Sequence, residues 1–190
     1  MRIAAFDLAS RTGVAFGSAG ATPKIEAWQL RTIGESPEEA AATLGNMLDE
    51  LFRVETFGLV AVENYLNPAA QPNADAVISG IMLRGALEAV ASHHGITVEG
   101  VDVATIRKHF CGRATVAAPR RGNSPPRSAK QKAADRLATK EMVWRRAVAL
   151  GYFSRDESPD YDRSDAVAVW DHAVATFSRV IRPFVMFGGA

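Results

Sequence analysis

The chain has little cysteine and no long apolar run, and each shortage excludes a class of protein. Its single cysteine, Cys111, excludes an intramolecular disulfide framework and a cysteine-based zinc cluster, and it fits a reducing cytoplasm. No apolar run approaches the roughly 20 residues that a membrane span needs. The first residues carry Asp7 where a secretion signal would be apolar, so we expect a cytoplasmic protein with no membrane segment.

Net charge is also scarce, at +1, but the charges are separated along the chain. Residues 1–102 hold 6 Lys and Arg against 13 Asp and Glu, whereas residues 103–190 hold 16 against 8. The near-neutral total therefore hides a basic second half. A locally basic surface of this kind is compatible with binding to nucleic acid.

The basic half contains a stretch without acids, from Val103 to Ala134. Its glycines and prolines predict a flexible basic loop at about 111–130. A solvated surface is the ordinary explanation of such a run, but the lack of acids and the chain breakers favour contact with DNA phosphates. The candidate DNA-binding residues are Arg113, Arg120, Arg121, Arg127, Lys130 and Lys132.

The order of apolar runs predicts an α/β domain spanning residues 1–190, with a mixed five-stranded sheet flanked by helices. Three short runs between residues 3 and 30 indicate an antiparallel meander. Ser36, Pro37 and Glu39 then form a helix-start signature. Later elements alternate: a strand at 59–62, a helix at 74–93, a strand at 97–101, and helices at 103–110, about 130–150 and 164–182. Such a βαβ order gives parallel strands with right-handed crossovers.

The 74–93 helix is apolar around most of its circumference. A helix of that kind is either deeply buried or packed against a second chain. We therefore expect either a core helix or a homodimer interface at this segment.

Four carboxylates stand at positions where acids are unusual. Asp7 and Glu63 each end a predicted strand, and they meet at one sheet edge if the two strands are parallel neighbours. Asp162 and Asp165 are three residues apart and share one helix face. Each has an ordinary explanation alone, as a turn or cap residue. Together they would repel unless cations lie among them, and carboxylates select Mg²⁺ or Mn²⁺.

The same acids carry a family resemblance, through four segments in a fixed order: Phe6-Asp7-Leu8-Ala9 with Thr12-Gly13, Val62-Glu63-Asn64, Asn73-Ala74-Asp75 leading to Arg84-Gly85, and Asp162-Arg163-Ser164-Asp165-Ala166-Val167-Ala168. They resemble the RuvC-type Holliday-junction resolvases of the ribonuclease H-like superfamily. The resemblance implies a ribonuclease H-like fold and a bacterial or phage-encoded homodimer that cuts four-way DNA junctions. It also implies two Mg²⁺ or Mn²⁺ ions held by catalytic residues Asp7, Glu63, Asp162 and Asp165.

The chain departs from the family pattern in places. Leu8-Ala9 stands where the family has Pro-Gly, and the basic loop is longer than usual. In some members of that family an aromatic residue after the glutamate contacts bases; Tyr65 and Leu66 both lie near that position, and Tyr65 is the aromatic candidate. The resemblance also implies a lysine from the basic segment at the cleavage site, for which Lys130 and Lys132 are candidates.

Other interpretations remain open at this point. The enzyme could be another ribonuclease H-like nuclease acting on flaps or hybrids, or the chain could be a non-catalytic DNA-binding domain. The pattern Asp-x-x-x-x-Thr-Gly-Val at residues 7–14 also resembles the first phosphate loop of actin-like kinases and ATPases. Those proteins need two such domains, and no second Gly-rich phosphate loop is visible here.

Overall fold

The computed structural model describes residues 1–64, 74–117 and 127–178. Its strands are β1 (Arg2–Asp7), β2 (Arg11–Ser18), β3 (Lys24–Gln29), β4 (Leu59–Glu63) and β5 (Val98–Val101). Its helices are α1 (Pro37–Val54), α2 (Ala74–His93), α3 (Val103–Cys111), α4 (Ala129–Ala149) and α5 (Tyr161–Phe177). The predicted order of strands and helices is confirmed across these residues.

The strands form one mixed sheet in the order β3-β2-β1-β4-β5. β1, β2 and β3 are the predicted antiparallel meander. β4 pairs with β1 in parallel, with Phe6 opposite Val62, and β5 pairs in parallel with β4. The carboxyl ends of β1, β4 and β5 therefore lie at the same edge of the sheet.

The two faces of the sheet are buried under different helices. Ala4 and Phe6 of β1 point into a core with the buried residues of α1 and α2. Ile3 and Ala5 point into the opposite core, which holds buried residues of α3, α4 and α5. Side chains alternate along a strand, so the next odd position, Asp7, faces the α5 side.

The helix starts follow from capping chemistry. Ser36 Oγ accepts a hydrogen bond from Glu39 N at 3.2 Å, and Ser36 N donates to Glu39 Oε2 at 2.7 Å, so the predicted capping box is confirmed. Ser128 and Gln131 form a second box at the start of α4.

The last helix was predicted from residue 164, and this start is wrong. Asp160 caps it by accepting from Arg163 N at 3.2 Å, so α5 begins at Tyr161 and includes Asp162 in its first turn. It ends at Phe177, and the rest of the predicted helix lies largely outside the described residues.

Of the two alternatives for the 74–93 helix, a deeply buried core helix is not what the structure shows. In α2 only Leu83, Leu87 and Ala91 are buried, on the side that packs against α1. Ile78 and Ile81 are about half exposed, at 48% and 54%. In the part of the chain described, no helix is both long and apolar enough to cross a membrane.

Candidate active site

The first two acids meet because their strands are parallel neighbours. Phe6 pairs with Val62, so Asp7 and Glu63 follow side by side at the ends of β1 and β4. Glu63 shares the alternation of Leu59 and Ala61, which face the α5 core. Both carboxylates therefore leave the sheet on the side where α5 lies.

The turn after Asp7 is built without the Pro-Gly of the family pattern. Thr12 is completely buried, and its hydroxyl donates to the carbonyl of Ala9 at 2.8 Å while accepting from Ala9 N at 3.2 Å. A threonine side chain thus closes the turn that carries Asp7.

The start of α5 approaches the sheet at Gly13, which pairs with Asp7 in the sheet register. A methyl group added at Gly13 would overlap the carbonyl oxygen of Asp162. The missing side chain therefore lets the first turn of α5 lie directly against β2. This contact brings Asp162 and Asp165 to the sheet edge that carries Asp7 and Glu63.

A guanidinium fastens that first turn. Arg11 forms a forked pair with Asp160, at 2.9 Å (Nη1 to Oδ1) and 2.6 Å (Nη2 to Oδ2). Its Nη1 also lies 2.6 Å from Asp162 Oδ2. The hydrogen bond from Arg11 lowers the pKa of Asp160 against the opposing effect of burial. One cation thus holds both the cap of α5 and one of the candidate metal ligands.

A lysine reaches the carboxylates from α4. Lys140 Nζ lies 3.9 Å from Asp162 Oδ1 and 4.0 Å from Asp165 Oδ2. The lysine expected here was Lys130 or Lys132, but both precede Lys140 by eight residues or more, about 12 Å or more along the helix. Among the described lysines, Lys140 is therefore the one that reaches these carboxylates, and a role of Lys130 or Lys132 in cleavage stays a prediction.

The electrostatics show the four acids acting on one another. Burial, followed by the charges of Asp165 and Glu63, raises the pKa of Asp7 well above its ordinary value. Burial raises the pKa of Glu63 to about 7, against the opposing charge of Arg107. Burial also raises the pKa of Asp165. Lys140 and Arg107 therefore offset only part of the negative charge collected here.

The residues fit a divalent metal by their chemistry. All four candidate ligands offer carboxylate oxygen, which hard cations such as Mg²⁺ and Mn²⁺ prefer, and their mutual repulsion calls for added positive charge. Within the described ranges, no three carboxylate, histidine or cysteine side chains are already arranged around one ion position. Arg11 and Lys140 lie against Asp162 instead.

The predicted DNA-binding residues are more scattered. Arg113 Nε lies 3.2 Å from Met142 Sδ, and Arg127 Nε lies 3.3 Å from Asp135 Oδ2. Lys130 and Lys132 are exposed near the start of α4. Arg120, Arg121 and Tyr65 lie outside the described residues, as do residues 118–126 of the predicted loop.

A cleft of about 360 Å³ opens beside the carboxylates, between α3 and α4. Glu63 and Lys140 line it together with Arg107 and Arg136. Sequence reasoning missed Arg11, Arg107, Arg136 and Lys140. For Lys140 a signal existed, because it precedes the buried Val143 and Trp144 by three and four residues and so borders the packed face of α4.

Comparison with solved structures identifies the fold. The RuvC structure of Thermus thermophilus is similar with a TM-score of 0.64 and 18% identity, over 95% of this chain and 96% of that chain. RuvC of the same organism in complex with a Holliday junction substrate is similar with a TM-score of 0.64 and 14% identity, also over 95% of this chain and 96% of that chain. The yeast mitochondrial Holliday junction resolvase Ydc2 is similar with a TM-score of 0.51 and 12% identity, over 94% of this chain and 82% of that chain.

Neither a family model nor a curated protein matches the sequence. The structural likenesses confirm the predicted fold: a ribonuclease H-like mixed sheet with flanking helices, as in RuvC.

Proposed function

We propose that this protein is a metal-dependent, structure-selective DNA endonuclease that resolves four-way junctions by hydrolysing phosphodiesters. The observation that carries the proposal is the meeting of Asp7, Glu63, Asp162 and Asp165 at one sheet edge. The solved structures of similar fold include a RuvC bound to a Holliday junction, which supports branched DNA as the substrate.

Asp7, Glu63, Asp162 and Asp165 would hold two Mg²⁺ or Mn²⁺ ions. When bound, such a pair lowers the pKa of the attacking water and stabilises the leaving oxygen of the phosphodiester. Bound ions would also stabilise the four carboxylates, because their positive charge offsets the repulsion among them. The partial burial of the carboxylates reduces the screening of these charges by bulk water.

The cations of the chain have separate tasks around the carboxylates. Lys140 places an ammonium beside Asp162 and Asp165, where it can stabilise negative charge that develops on the cut phosphate. Arg11 fixes the orientation of the first turn of α5 through Asp160 and Asp162. The basic residues of the second half bind the DNA backbone.

The test is cleavage of a synthetic four-way junction, with linear duplex, flap and RNA–DNA hybrid substrates in the same panel, with and without Mg²⁺ or Mn²⁺. We expect nicking of the junction only when metal is present, and none by Asp7→Asn. Retained cutting by Asp7→Asn would refute the assignment of the carboxylates. If the protein instead cuts the flap or the hybrid preferentially, the proposed substrate is wrong, but the proposed nuclease chemistry still stands.

The Asp7→Asn variant also provides its own folding control. The substitution keeps the shape of the side chain and removes one of several like charges. We therefore expect its unfolding temperature without metal to equal or exceed that of the unmodified protein. Its junction affinity without metal should be similarly undiminished, so that lost cutting cannot be attributed to lost binding.

We also propose that the protein is a homodimer through α2. Ile78 and Ile81 are exposed on the helix three residues apart and so lie on one face. Two symmetric cuts across a junction require two such sites. Sedimentation should give a dimer for the native chain and a monomer for Ile81→Asp, whereas a monomeric native chain would exclude this interface.

A further inference from the structure

The cleft between α3 and α4 contains a pair of cations that the carboxylate chemistry does not use. Arg107 projects from α3 and Arg136 from α4, and both line the cleft. Neither forms an ion pair with another residue of the described ranges. Arg107 does act at longer range on Glu63 and Asp165, where its charge opposes the rise that burial causes in the pKa of each. The cleft is therefore positively charged on two walls and joined to the carboxylates.

The third wall of the cleft is fixed by hydrogen bonds. The hydroxyl of Thr139 donates to the carbonyl of Asp135 at 2.8 Å and lies 3.3 Å from the hydroxyl of Thr115. The backbone N–H of Val116 also donates to Thr139, at 3.5 Å. These bonds hold the chain after α3 against α4, so the cleft is shaped by the fold.

The spacing along α4 matches a nucleic acid strand. Arg136 and Lys140 are four residues apart, which places them on one face about 6 Å apart along the axis. That separation is similar to the distance between successive phosphates of one strand. Since Lys140 lies at the carboxylates, a strand whose cut phosphate sits there would bring a neighbouring phosphate to Arg136.

We propose that this cleft is a phosphate subsite, in which Arg107 and Arg136 bind the phosphodiester next to the one being cut. The guanidinium fork suits phosphate oxygens better than a lysine would. The acidic wall residue, Asp135, has its charge offset by Arg127 at 3.3 Å. The cleft volume of about 360 Å³ has room for one nucleotide. The subsite rests on the proposed nuclease function and specifies how the cut strand is aligned.

The test is a scan with neutral phosphates. Junctions carry a single methylphosphonate at successive positions around the cut site, and affinity is measured by fluorescence anisotropy without metal, so that no strand is cut. The variants are Arg136→Gln and Arg107→Gln. The control is Arg145→Gln, which lies on the same helix, is 76% exposed and pairs only with Glu141 among the described residues.

We expect Arg136→Gln to bind an unmodified junction about tenfold more weakly and to lower the slope of log affinity against log salt by about 1. One methylphosphonate next to the cut position should weaken the native protein about tenfold and leave Arg136→Gln nearly unaffected. Arg107→Gln should lose its sensitivity at the same position, and Arg145→Gln should behave like the native protein.

The subsite is refuted if the native protein binds the junction but no methylphosphonate position couples to either arginine. The function fails separately if the native protein cuts no substrate or if Asp7→Asn still cuts. If junctions are not bound, the same scan on single-stranded and duplex DNA decides the subsite, and absence of binding to any DNA overturns both proposals.

Discussion

Replacing Gly13 with alanine tests the contact that brings α5 to the sheet. The added Cβ would overlap the carbonyl oxygen of Asp162 and lie 3.0 Å from Ala166 Cβ. Side-chain carbons essentially never approach heavy atoms below 3.0 Å, and a backbone carbonyl cannot rotate away as a flexible side chain can. The first turn of α5 must therefore retreat by roughly 1 Å.

The cost of that retreat follows from the packing of α5. Nine of its residues are buried, so the displacement strains a helix that is packed over most of its length. Overpacking of a core costs about 1–3 kcal/mol, and we expect about 3 kcal/mol because the clash involves backbone. For a chain of this size, the unfolding temperature should fall by about 6–12 °C.

The matched control is Gly45→Ala in α1, where the added Cβ would only touch Val90 Cγ2 at 4.0 Å. Alanine is the better helix former, so this variant should gain about 0.5–1 kcal/mol. The change in unfolding free energy of both variants is to be measured by urea unfolding monitored by circular dichroism. If Gly13→Ala unfolds within 0.5 kcal/mol of the native protein, α5 does not rest on β2 at Gly13, and our account of how Asp162 reaches the site is wrong.

Three further predictions concern residues around the site and the helix caps. Lys140→Met removes the ammonium beside Asp162 and Asp165, so junction cleavage should slow at least tenfold while the unfolding temperature changes little; an unchanged rate would exclude Lys140 from the reaction. Arg11→Ala leaves the first turn of α5 without its forked ion pair and should cost about 1 kcal/mol in urea unfolding, a partly exposed pair being weakened by solvent; Arg11→Lys should recover only part, and no loss for either would show that the pair does not hold the turn. Ser36→Ala removes a capping box and should cost about 1 kcal/mol, as should Ser128→Ala at the second box; a neutral result at both sites would mean that these caps do not contribute to folding stability.

The sequence was most informative where strands end. Asp7 and Glu63 could be predicted to meet because each follows a short apolar run, and parallel strands bring such ends to one edge. The capping residues Ser36 and Glu39 were equally legible, since their signature is local. These features depend on residues close together in the chain.

The cationic residues of the site could not be predicted from the sequence in this way. Arg11 meets Asp160 across 149 residues of sequence, and nothing near Arg11 indicates that partner. Basic residues fill the second half of the chain, so composition could not single out Lys140 over Lys130 or Lys132. The choice is made by the phase of α4 and its packing against α5, which only the folded chain determines.

The α2 helix shows a different limit. Its apolar residues fit a core helix and an intersubunit helix equally well, because the pattern records hydrophobicity without recording what covers it. The structure distinguishes the two faces of α2 by burial, since Ile78 and Ile81 are exposed while Leu83, Leu87 and Ala91 are buried.

The alternation of β1 sets how the chain tolerates changes in length. Ile3 and Ala5 face the α5 core, whereas Ala4 and Phe6 face the opposite core. Asp7 faces the α5 side because it lies two residues after Ala5 and four after Ile3. One residue inserted within β1 would move every following strand residue to the opposite face, so that Asp7 would point toward α1 and α2 and leave the site. Insertions outside the strands leave this alternation unchanged, so changes in chain length are tolerated better there than within β1.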